Sequence, residues 1–194
     1  NIDINYSYSK NNNLLNINFY QSDGSTEYDS FGSNLNQDHK DSHIRLSWNK
    51  KYTDSESNIV FIAKQNKINQ NSLGATDYTH TENYQINLEK NFYDLHGTNT
   101  LFGAIYTDEA LYELSYGTRF NQSNSIIEYY AQSEYLADKT LYNIGARYIN
   151  HSIYGGFLTG NINLGYELSK KIKIIAGIGK SFRSPDGTDL YGYG

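Results

Sequence analysis

The sequence predicts an all-β protein, an antiparallel up-and-down barrel of about ten strands. Three observations support this prediction. Apolar and polar residues alternate in segment after segment, and period-two alternation is typical of strands with one apolar and one polar face. Residues that favour turns, namely Gly, Asn, Asp and Ser, separate these segments. Tyr accounts for 20 of the 194 residues and Pro for one, which favours strands and argues against disorder.

The strand candidates fall into two groups. Seven segments alternate strictly, with apolar residues at every second position, and they cover residues 2–8, 15–19, 44–48, 84–88, 127–131, 142–148 and 162–168. Three further segments are more uniformly apolar, so their facing is open: residues 59–63, 101–106 and 172–178. Residues 108–116 fit either a short helix with an acidic first turn or a continuation of the neighbouring strands.

The connections between strand candidates also fall into two kinds. The short ones are residues 10–13, 53–57, 93–98, 137–139 and 169–171, and the long ones are 22–42, 67–81, 108–124, 150–158 and the tail from 183. Short and long connections alternate strictly, so an up-and-down meander places every long one at the same end. Short turns at one end and long loops at the other are typical of outer-membrane barrels.

The polar alternate positions distinguish a membrane barrel from a soluble meander. In a membrane barrel the polar face lines the lumen and the apolar face meets lipid, and a tilted crossing needs strands of about 9 to 11 residues. Aromatic residues near the strand ends also favour the barrel. We therefore expect Ile162, Leu164 and Tyr166 to face outward, and Asn161, Asn163 and Glu167 to face inward. A soluble meander is the alternative.

Composition excludes several other classes. Mean hydropathy is −0.69, and no window approaches the ~18 to 20 apolar residues of a spanning helix. The absence of Cys rules out a disulfide scaffold, a Cys-ligated zinc site and a thiol nucleophile. The net charge of −5 argues against nucleic acid as a partner, because phosphate binding needs concentrated Lys and Arg.

No catalytic or cofactor-binding residues are predicted, and the protein is not expected to be an enzyme. Gly177-Ile178-Gly179-Lys180-Ser181 ends like a phosphate-binding loop, but Ile174 stands where that loop needs its first Gly. His39 and His43 have the spacing of a zinc-protease pair, but Lys40 stands where the pair needs Glu. The glycine run is therefore interpreted as close packing inside a strand, and the two His residues as part of a solvated polar segment.

The first two long connections carry carboxylates, among them Asp29, Asp38 and Asp77. Calcium takes several oxygen ligands, often from neighbouring loops, so these three are candidate metal ligands. The alternative is that acidic loops simply keep the surface soluble.

The C-terminal quarter resembles the barrel of TonB-dependent outer-membrane receptors. The motif that carries this resemblance is Gly179-Lys180-Ser181-Phe182-Arg183-Ser184-Pro185, followed by Asp189-Leu190-Tyr191-Gly192. Within that superfamily the chain looks most like the cobalamin (corrinoid) transporters, on a looser pattern: Gly145-Ala146-Arg147-Tyr148, His151, Tyr154-Gly155-Gly156 and Thr159-Gly160-Asn161. The resemblance covers residues 142–194, and the rest matches in strand rhythm and loop placement.

This resemblance implies a multi-pass protein of the Gram-negative outer membrane, in contact with its lipid, that takes up a corrinoid or similar scarce ligand. The intact protein would have a barrel of about 22 strands closed by a plug, and TonB would bind a region that precedes the plug. We expect residues 1–194 to be a partial barrel domain without the plug and the terminal strands, because the chain starts at Asn1 and ends in loop-like sequence.

The resemblance also bears on calcium. Cobalamin receptors use Asp residues of their first long external loops to bind calcium, and Asp29, Asp38 and Asp77 lie in the corresponding connections. The family's pair of Asp residues separated by one residue is absent, since Asp38-His39-Lys40-Asp41 stands there. Calcium in the external loops is therefore a candidate structural ion that the resemblance implies, with a reduced ligand set.

Other functions remain open at this point. They are a passive porin-like barrel, a receptor for an iron siderophore, and a surface adhesin or barrel protease. The sequence of the ~200 residues encoded upstream would distinguish a porin-like barrel from a receptor, because a receptor needs a plug domain there and a porin does not.

Overall fold

The computed structural model describes residues 1–30, 33–72, 75–95, 98–137, 139–169 and 171–183. These residues form one antiparallel sheet in which every strand pairs with its neighbours in the chain, in the order β1 to β10. The strands are β1 Ile2–Lys10, β2 Asn13–Ser30, β3 Ser33–Lys51, β4 Ser55–Ser72, β5 Ala75–Leu95, β6 Thr98–Ser115, β7 Thr118–Ala137, β8 Thr140–His151, β9 Gly155–Ser169 and β10 Ile172–Lys180. No helix of the described residues is long and apolar enough to span a bilayer.

The predicted all-β meander of ten strands is confirmed. Each strand candidate lies within one strand, including the three whose facing was open. The segment 108–116 is not a helix: it continues β6 as far as Ser115 and ends in the turn that begins at Tyr116.

The register aligns apolar residues on one face across the sheet. One row runs through six strands by direct cross-strand pairing and comprises Ile17, Leu46, Phe61, Ile86, Tyr106 and Ile127. Because side chains alternate along a strand, this register puts the intervening polar residues on the opposite face. The mixed run 59–63 is thereby resolved: Ile59, Phe61 and Ala63 share the apolar face, and Val60 and Ile62 lie on the polar one.

The sheet curves with its polar face inward. Val60 and Ile149 on the polar face are only 4% and 7% exposed, whereas Leu88 and Leu164 on the apolar face are 47% and 56% exposed. A single flat layer would expose both faces alike. The expected facing of Ile162, Leu164 and Tyr166 outward, with Asn161, Asn163 and Glu167 on the inner face, is confirmed by this arrangement.

The predicted long connections 22–42, 67–81 and 108–124 lie at one end of the sheet, as expected, but their prediction as loops is wrong, since most of their residues are paired strand. The connection 150–158 does contain a turn, at residues 152–154, and the predicted tail beyond residue 183 lies outside the described residues. β2 and β3 continue in register from Ser22 opposite Asp41 to Ser30 opposite Ser33. β4 and β5 continue likewise to Ser72 opposite Ala75. These continuations, called the strand extensions below, have polar residues on both faces. Their sequence therefore lacks the apolar alternation that identifies a strand, although the backbone ladder is unbroken.

Candidate functional site: the inner wall

The inner face of β2 to β7 holds a cavity of about 810 Å³. It lies where the strand extensions begin, just beyond the last outward apolar residues such as Ile44 and Tyr84. Its charged residues all occupy inward positions, because each is an odd number of residues from an outward apolar one. They are Asp41, Arg45, Lys64, Glu109 and Glu128. We call this cavity the wall site.

Every carboxylate of the wall site has a polar partner. The Asn66 amide donates a hydrogen bond to Asp41. The Asn83 amide donates to Glu109 at 3.0 Å. Glu128 pairs with a residue outside the cavity: its Oε2 lies 3.2 Å from Nη1 of Arg147, in an ion pair that lacks an aligned hydrogen bond.

The two cations of the wall site, Arg45 and Lys64, differ from its carboxylates in their lack of ion-pair partners among the described residues. Among the described residues the one ion pair within 4 Å is that of Arg147 and Glu128, so neither Arg45 nor Lys64 has an acidic partner there. Both side chains are exposed on the inner face, and both border the same cavity. The wall therefore presents two cations without ion-pair partners, beside Asp41 and Glu109, which keep their negative charge in hydrogen bonds from neutral amides.

An aromatic surface lies beside these cations. The ring of Tyr20 stacks on His43 with centroids 5.1 Å apart and planes 22° from parallel. His43 Nε2 is hydrogen-bonded to Asn18 Oδ1 at 2.9 Å, which fixes the orientation of the imidazole ring. The two residues are cross-strand partners. Cations next to a held aromatic pair suit an anionic ligand with flat groups.

The inner face below the wall site is braced across three strands. The Tyr130 hydroxyl donates to Glu89 Oε1 at 2.5 Å, and Asn58 and Asn87 donate to the same carboxylate at 3.1 and 3.2 Å. Tyr130 lies on β7 and Glu89 on β5, so the tyrosine crosses the intervening β6 at Gly103. A Cβ added to Gly103 would lie 2.1 Å from Cζ of Tyr130, so only glycine leaves room for this crossing.

Of the three Asp residues predicted as calcium ligands, Asp38 and Asp77 are not brought together by the fold, and the side chain of Asp29 lies outside the described part of the structure. Asp38 pairs with Ser25 of β2, four residues from Asp29, or about 13 Å along the strand. Asp38 pairs with Asn69 and Asn69 pairs with Tyr78, so these three residues share the outward face. Asp77 directly precedes Tyr78 and therefore lies on the inward face. Within the described ranges no three His, Asp or Glu side chains are grouped as a metal site. Calcium stays a prediction.

Asp38 and Asp77 instead have local partners. The Asn71 amide donates to Asp38 Oδ2 at 3.2 Å. The backbone N–H of Tyr116, at the turn between β6 and β7, donates to Asp77 Oδ1 at 3.2 Å. Asp77 therefore joins the β4–β5 hairpin to the β6–β7 turn.

The sequence motifs have structural roles in the sheet. Gly177 and Gly179 lie within β10, where an added Cβ would lie 2.2 Å from Oδ1 of Asn163 and 3.3 Å from Cβ of Asn161, respectively. Phe182 stacks on Phe157 with centroids 3.7 Å apart. The rest of that motif, residues 184–194, lies outside the described residues.

The pattern that resembles the cobalamin transporters, residues 145–161, lies in the β8–β9 hairpin. His151 Nδ1 accepts a hydrogen bond from the backbone N–H of Ile153 at 3.1 Å, and the ring contacts that of Tyr154 at 4.7 Å. Arg147 lies over the Tyr130 ring at 5.4 Å. These contacts give Arg147, His151 and Tyr154 structural roles, whereas Gly145, Ala146, Thr159, Gly160 and Asn161 line a second cavity of about 510 Å³.

Sequence reasoning missed the wall site. Arg45 and Lys64 are ordinary polar members of alternating segments, and no motif surrounds them. The available signal was their inward position, but their lack of acidic partners depends on which strands lie beside them.

Comparison with known proteins shows the family. The sequence matches the family of TonB dependent receptor-like β-barrels over residues 1–194. Among solved structures it is similar to the siderophore receptor PirA from Pseudomonas aeruginosa, with a TM-score of 0.82 and 18% identity over 94% of this chain and 33% of that one. No curated protein matches the sequence significantly.

Two further solved structures are similar. The ferric enterobactin receptor PfeA from Pseudomonas aeruginosa has a TM-score of 0.75 at 12% identity, over 92% of this chain and 32% of that one. The outer membrane transporter YddB from Escherichia coli has a TM-score of 0.71 at 7% identity, over 83% and 28%. The chain thus spans about a third of the length of the structures it resembles. With the family match across its whole length, the chain belongs to the TonB-dependent receptor β-barrels of the bacterial outer membrane.

Proposed function

We propose that this barrel segment belongs to a receptor that imports an anionic ferric siderophore, with the wall site as part of the ligand path. The observation that carries the proposal is the pair of unpartnered cations, Arg45 and Lys64, beside carboxylates that all have partners. The similar solved structures include siderophore receptors, which supports the same ligand class.

The chemistry needed is binding and release. A ferric tris-catecholate is anionic, because its phenolate charges outnumber those of the ferric ion. Arg45 and Lys64 would attract it electrostatically, and the Tyr20–His43 pair would contact its rings. Burial of the ligand in the lumen strengthens both effects by excluding water. We further propose that a plug domain closes the barrel and that TonB, through a region outside this chain, supplies the energy for uptake.

A corrinoid is the second candidate ligand. It rests on the sequence pattern of residues 145–161 and on its resemblance to the cobalamin transporters. Since His151 and Tyr154 of that pattern are engaged in the β8–β9 hairpin, the pattern supports the corrinoid less directly than the free cations support an anion.

Calorimetry on the intact receptor tests the proposal. The probes are a ferric tris-catecholate, a ferric hydroxamate and cyanocobalamin. We expect the tris-catecholate to bind, and Arg45→Gln or Lys64→Gln to weaken it about 5- to 30-fold each, as expected for loss of a charged contact worth about 1 to 2 kcal/mol. Lys10→Gln, at the opposite end of β1, is the matched control and should change nothing.

Each other outcome has a definite meaning. Binding of cyanocobalamin without any ferric chelate would refute the siderophore proposal and favour the corrinoid. Binding of no probe, with free passage of small ions in planar bilayers, would favour the porin-like alternative.

A further inference from the structure

A row of three lysines lies on the outer face of the sheet, at the end opposite the strand extensions. Cross-strand pairing runs from Lys10 through Asn13, Lys50 and Ser57 to Lys90. The lysines therefore occupy every second strand, β1, β3 and β5, and are roughly 10 Å apart. Each lies two residues from an outward apolar residue of its own strand, so all three face outward. We call Lys10, Lys50 and Lys90 the lysine row.

The row directly beside the lysine row is apolar throughout. By the same cross-strand pairing it comprises Tyr8, Leu15, Trp48, Ile59 and Leu88. Tyr8 is 49% exposed and Leu88 is 47% exposed, as expected for side chains that contact lipid. The short turns of outer-membrane barrels lie on the periplasmic side. The lysine row therefore lies where the apolar outer face meets the lipid headgroups of the periplasmic leaflet.

Two of these lysines converge on one aromatic ring. Lys90 Nζ lies 4.1 Å from the centroid of the Tyr52 ring, and Lys50 Nζ lies 5.0 Å from it. The two ammonium groups are therefore no more than about 9 Å apart. Lys90 Nζ also donates a hydrogen bond to Ser57 Oγ at 3.2 Å. Both lysine side chains are half-buried, so their aliphatic stems lie along the sheet and their charged ends reach the border.

The acidic residues closest in sequence do not neutralise this pair. Glu56 lies on the inner face, where it accepts hydrogen bonds from Asn49 and Tyr93. Asp54, in the turn between β3 and β4, accepts one from the Ser55 hydroxyl at 3.2 Å. Among the described residues neither ammonium group has a carboxylate within 4 Å. Two like charges this close repel each other, and an anion between them would remove that repulsion.

We propose that Lys50, Lys90 and Tyr52 bind the phosphate of an anionic phospholipid of the periplasmic leaflet. Two ammonium groups donate charge-assisted hydrogen bonds to one phosphate, and the apolar row beside them gives the acyl chains a surface to contact. A soluble anion would use only the first of these features, so their juxtaposition favours a lipid. The bound lipid fixes the depth of the barrel in the bilayer. This role does not depend on which ligand the receptor imports.

The test is native mass spectrometry of the intact receptor in detergent micelles. The micelles are titrated with phosphatidylglycerol or, separately, with zwitterionic phosphatidylcholine of the same acyl chains. We expect phosphatidylglycerol to bind more tightly. Lys50→Gln and Lys90→Gln should each weaken its binding about fivefold, as expected for one lysine near an anionic membrane surface. Lys50→Arg keeps the charge and should retain most of the affinity.

The matched control is the double variant Lys40→Gln with Lys67→Gln. These two lysines are also cross-strand partners on the outer face, but they lie in the strand extensions, away from the apolar rows. Their loss should leave phosphatidylglycerol binding unchanged. Lys10→Gln removes a charge from the lysine row without removing one from the Tyr52 ring, so it should weaken binding less than Lys50→Gln does.

Thermal unfolding in vesicles gives a second measurement. Addition of phosphatidylglycerol to phosphatidylcholine vesicles should raise the melting temperature of the wild type more than that of the double variant Lys50→Gln with Lys90→Gln. The difference should shrink at high salt, because salt screens the attraction between exposed charges.

The outcomes decide for or against the lipid. Preference for phosphatidylglycerol that is lost in the Lys50→Gln, Lys90→Gln variant and kept in the control supports the proposal. Equal binding of the two lipids, or a preference that this variant retains, overturns it. Inorganic phosphate that displaces phosphatidylglycerol at equal concentration would assign the lysines to a soluble anion and overturn the lipid as their partner.

Discussion

The lower and upper halves of the central strands follow different rules. In the lower half of β3, outward positions hold Ile44, Leu46 and Trp48, with polar residues between them. In the strand extension above, outward positions hold Asp38, Lys40 and Ser42, and the inward ones are polar too. Backbone pairing is continuous through both halves. Apolar and polar side chains thus alternate only where the two faces of the sheet have different environments. The alternation disappears where both faces contact water.

The largest effect that tests this comparison is a charge on the outward face of the lower half. Leu164→Arg in the intact receptor should destabilise the barrel by about 2 to 4 kcal/mol if the site is near the bilayer midplane. Tyr112→Arg, at an outward position in the upper part of β6, should cost less than about 0.5 kcal/mol. A urea titration of folding into lipid vesicles measures both. Equal costs would mean that lipid does not distinguish the two halves.

A second prediction concerns the inner face of the lower half. Gly103→Ala should destabilise the barrel by about 1 to 3 kcal/mol, because the added methyl group collides with the Tyr130 ring and overpacking costs that much. Gly165→Ala is the matched control: its nearest neighbour is Cε of Lys173 at 3.3 Å, the end of a flexible chain that can move aside. The same urea titration measures both variants.

Removing the obstructing ring provides the check on that mechanism. In a Tyr130→Ala background Gly103→Ala should cost much less than in the wild type, because contacting residues are not additive. Full additivity would show that the glycine is needed for a reason other than the tyrosine.

The smallest expected effect concerns calcium and the strand extensions. A site formed by Asp29, Asp38 and Asp77 would have to draw on both faces of the sheet, so we expect calcium to raise the melting temperature of the intact receptor only slightly over a chelator control. Thermal melts with and without the ion measure this. A large rise that Asp38→Ala abolishes would support the calcium site predicted from the sequence and require the extensions to rearrange.

Much of the fold could be predicted because it depends on local alternation. The outward positions of Ile162 and Leu164 were predicted correctly, since period two needs no knowledge of neighbouring strands. Residues 22–42 were predicted as a loop because their Gly, Asn, Asp and Ser residues suit turns as well as two-sided polar strands. Residues 22–30 and 33–42 are held in the sheet by the pairing already established below them, which local sequence does not report.

The wall site was harder to predict for a related reason. Asp29, Asp38 and Asp77 drew attention as carboxylates, whereas Arg45 and Lys64 looked like any cations of an alternating strand. Their significance depends on the amides of Asn66 and Asn83, which occupy the neighbouring carboxylates. Those partnerships are set by cross-strand register and therefore become visible only in the folded sheet.

The register that aligns apolar residues into rows has a consequence for how this barrel changes over evolutionary time. A row such as Ile17, Leu46 and Phe61 requires each member to be apolar, not to be a particular residue. Most outward and inward positions can therefore drift among many residues while the backbone keeps its shape. A TM-score of 0.82 at 18% identity to another receptor is what such a permissive constraint produces. Positions such as Gly103, where a side chain of one strand must pass over another, are the exceptions that should drift least.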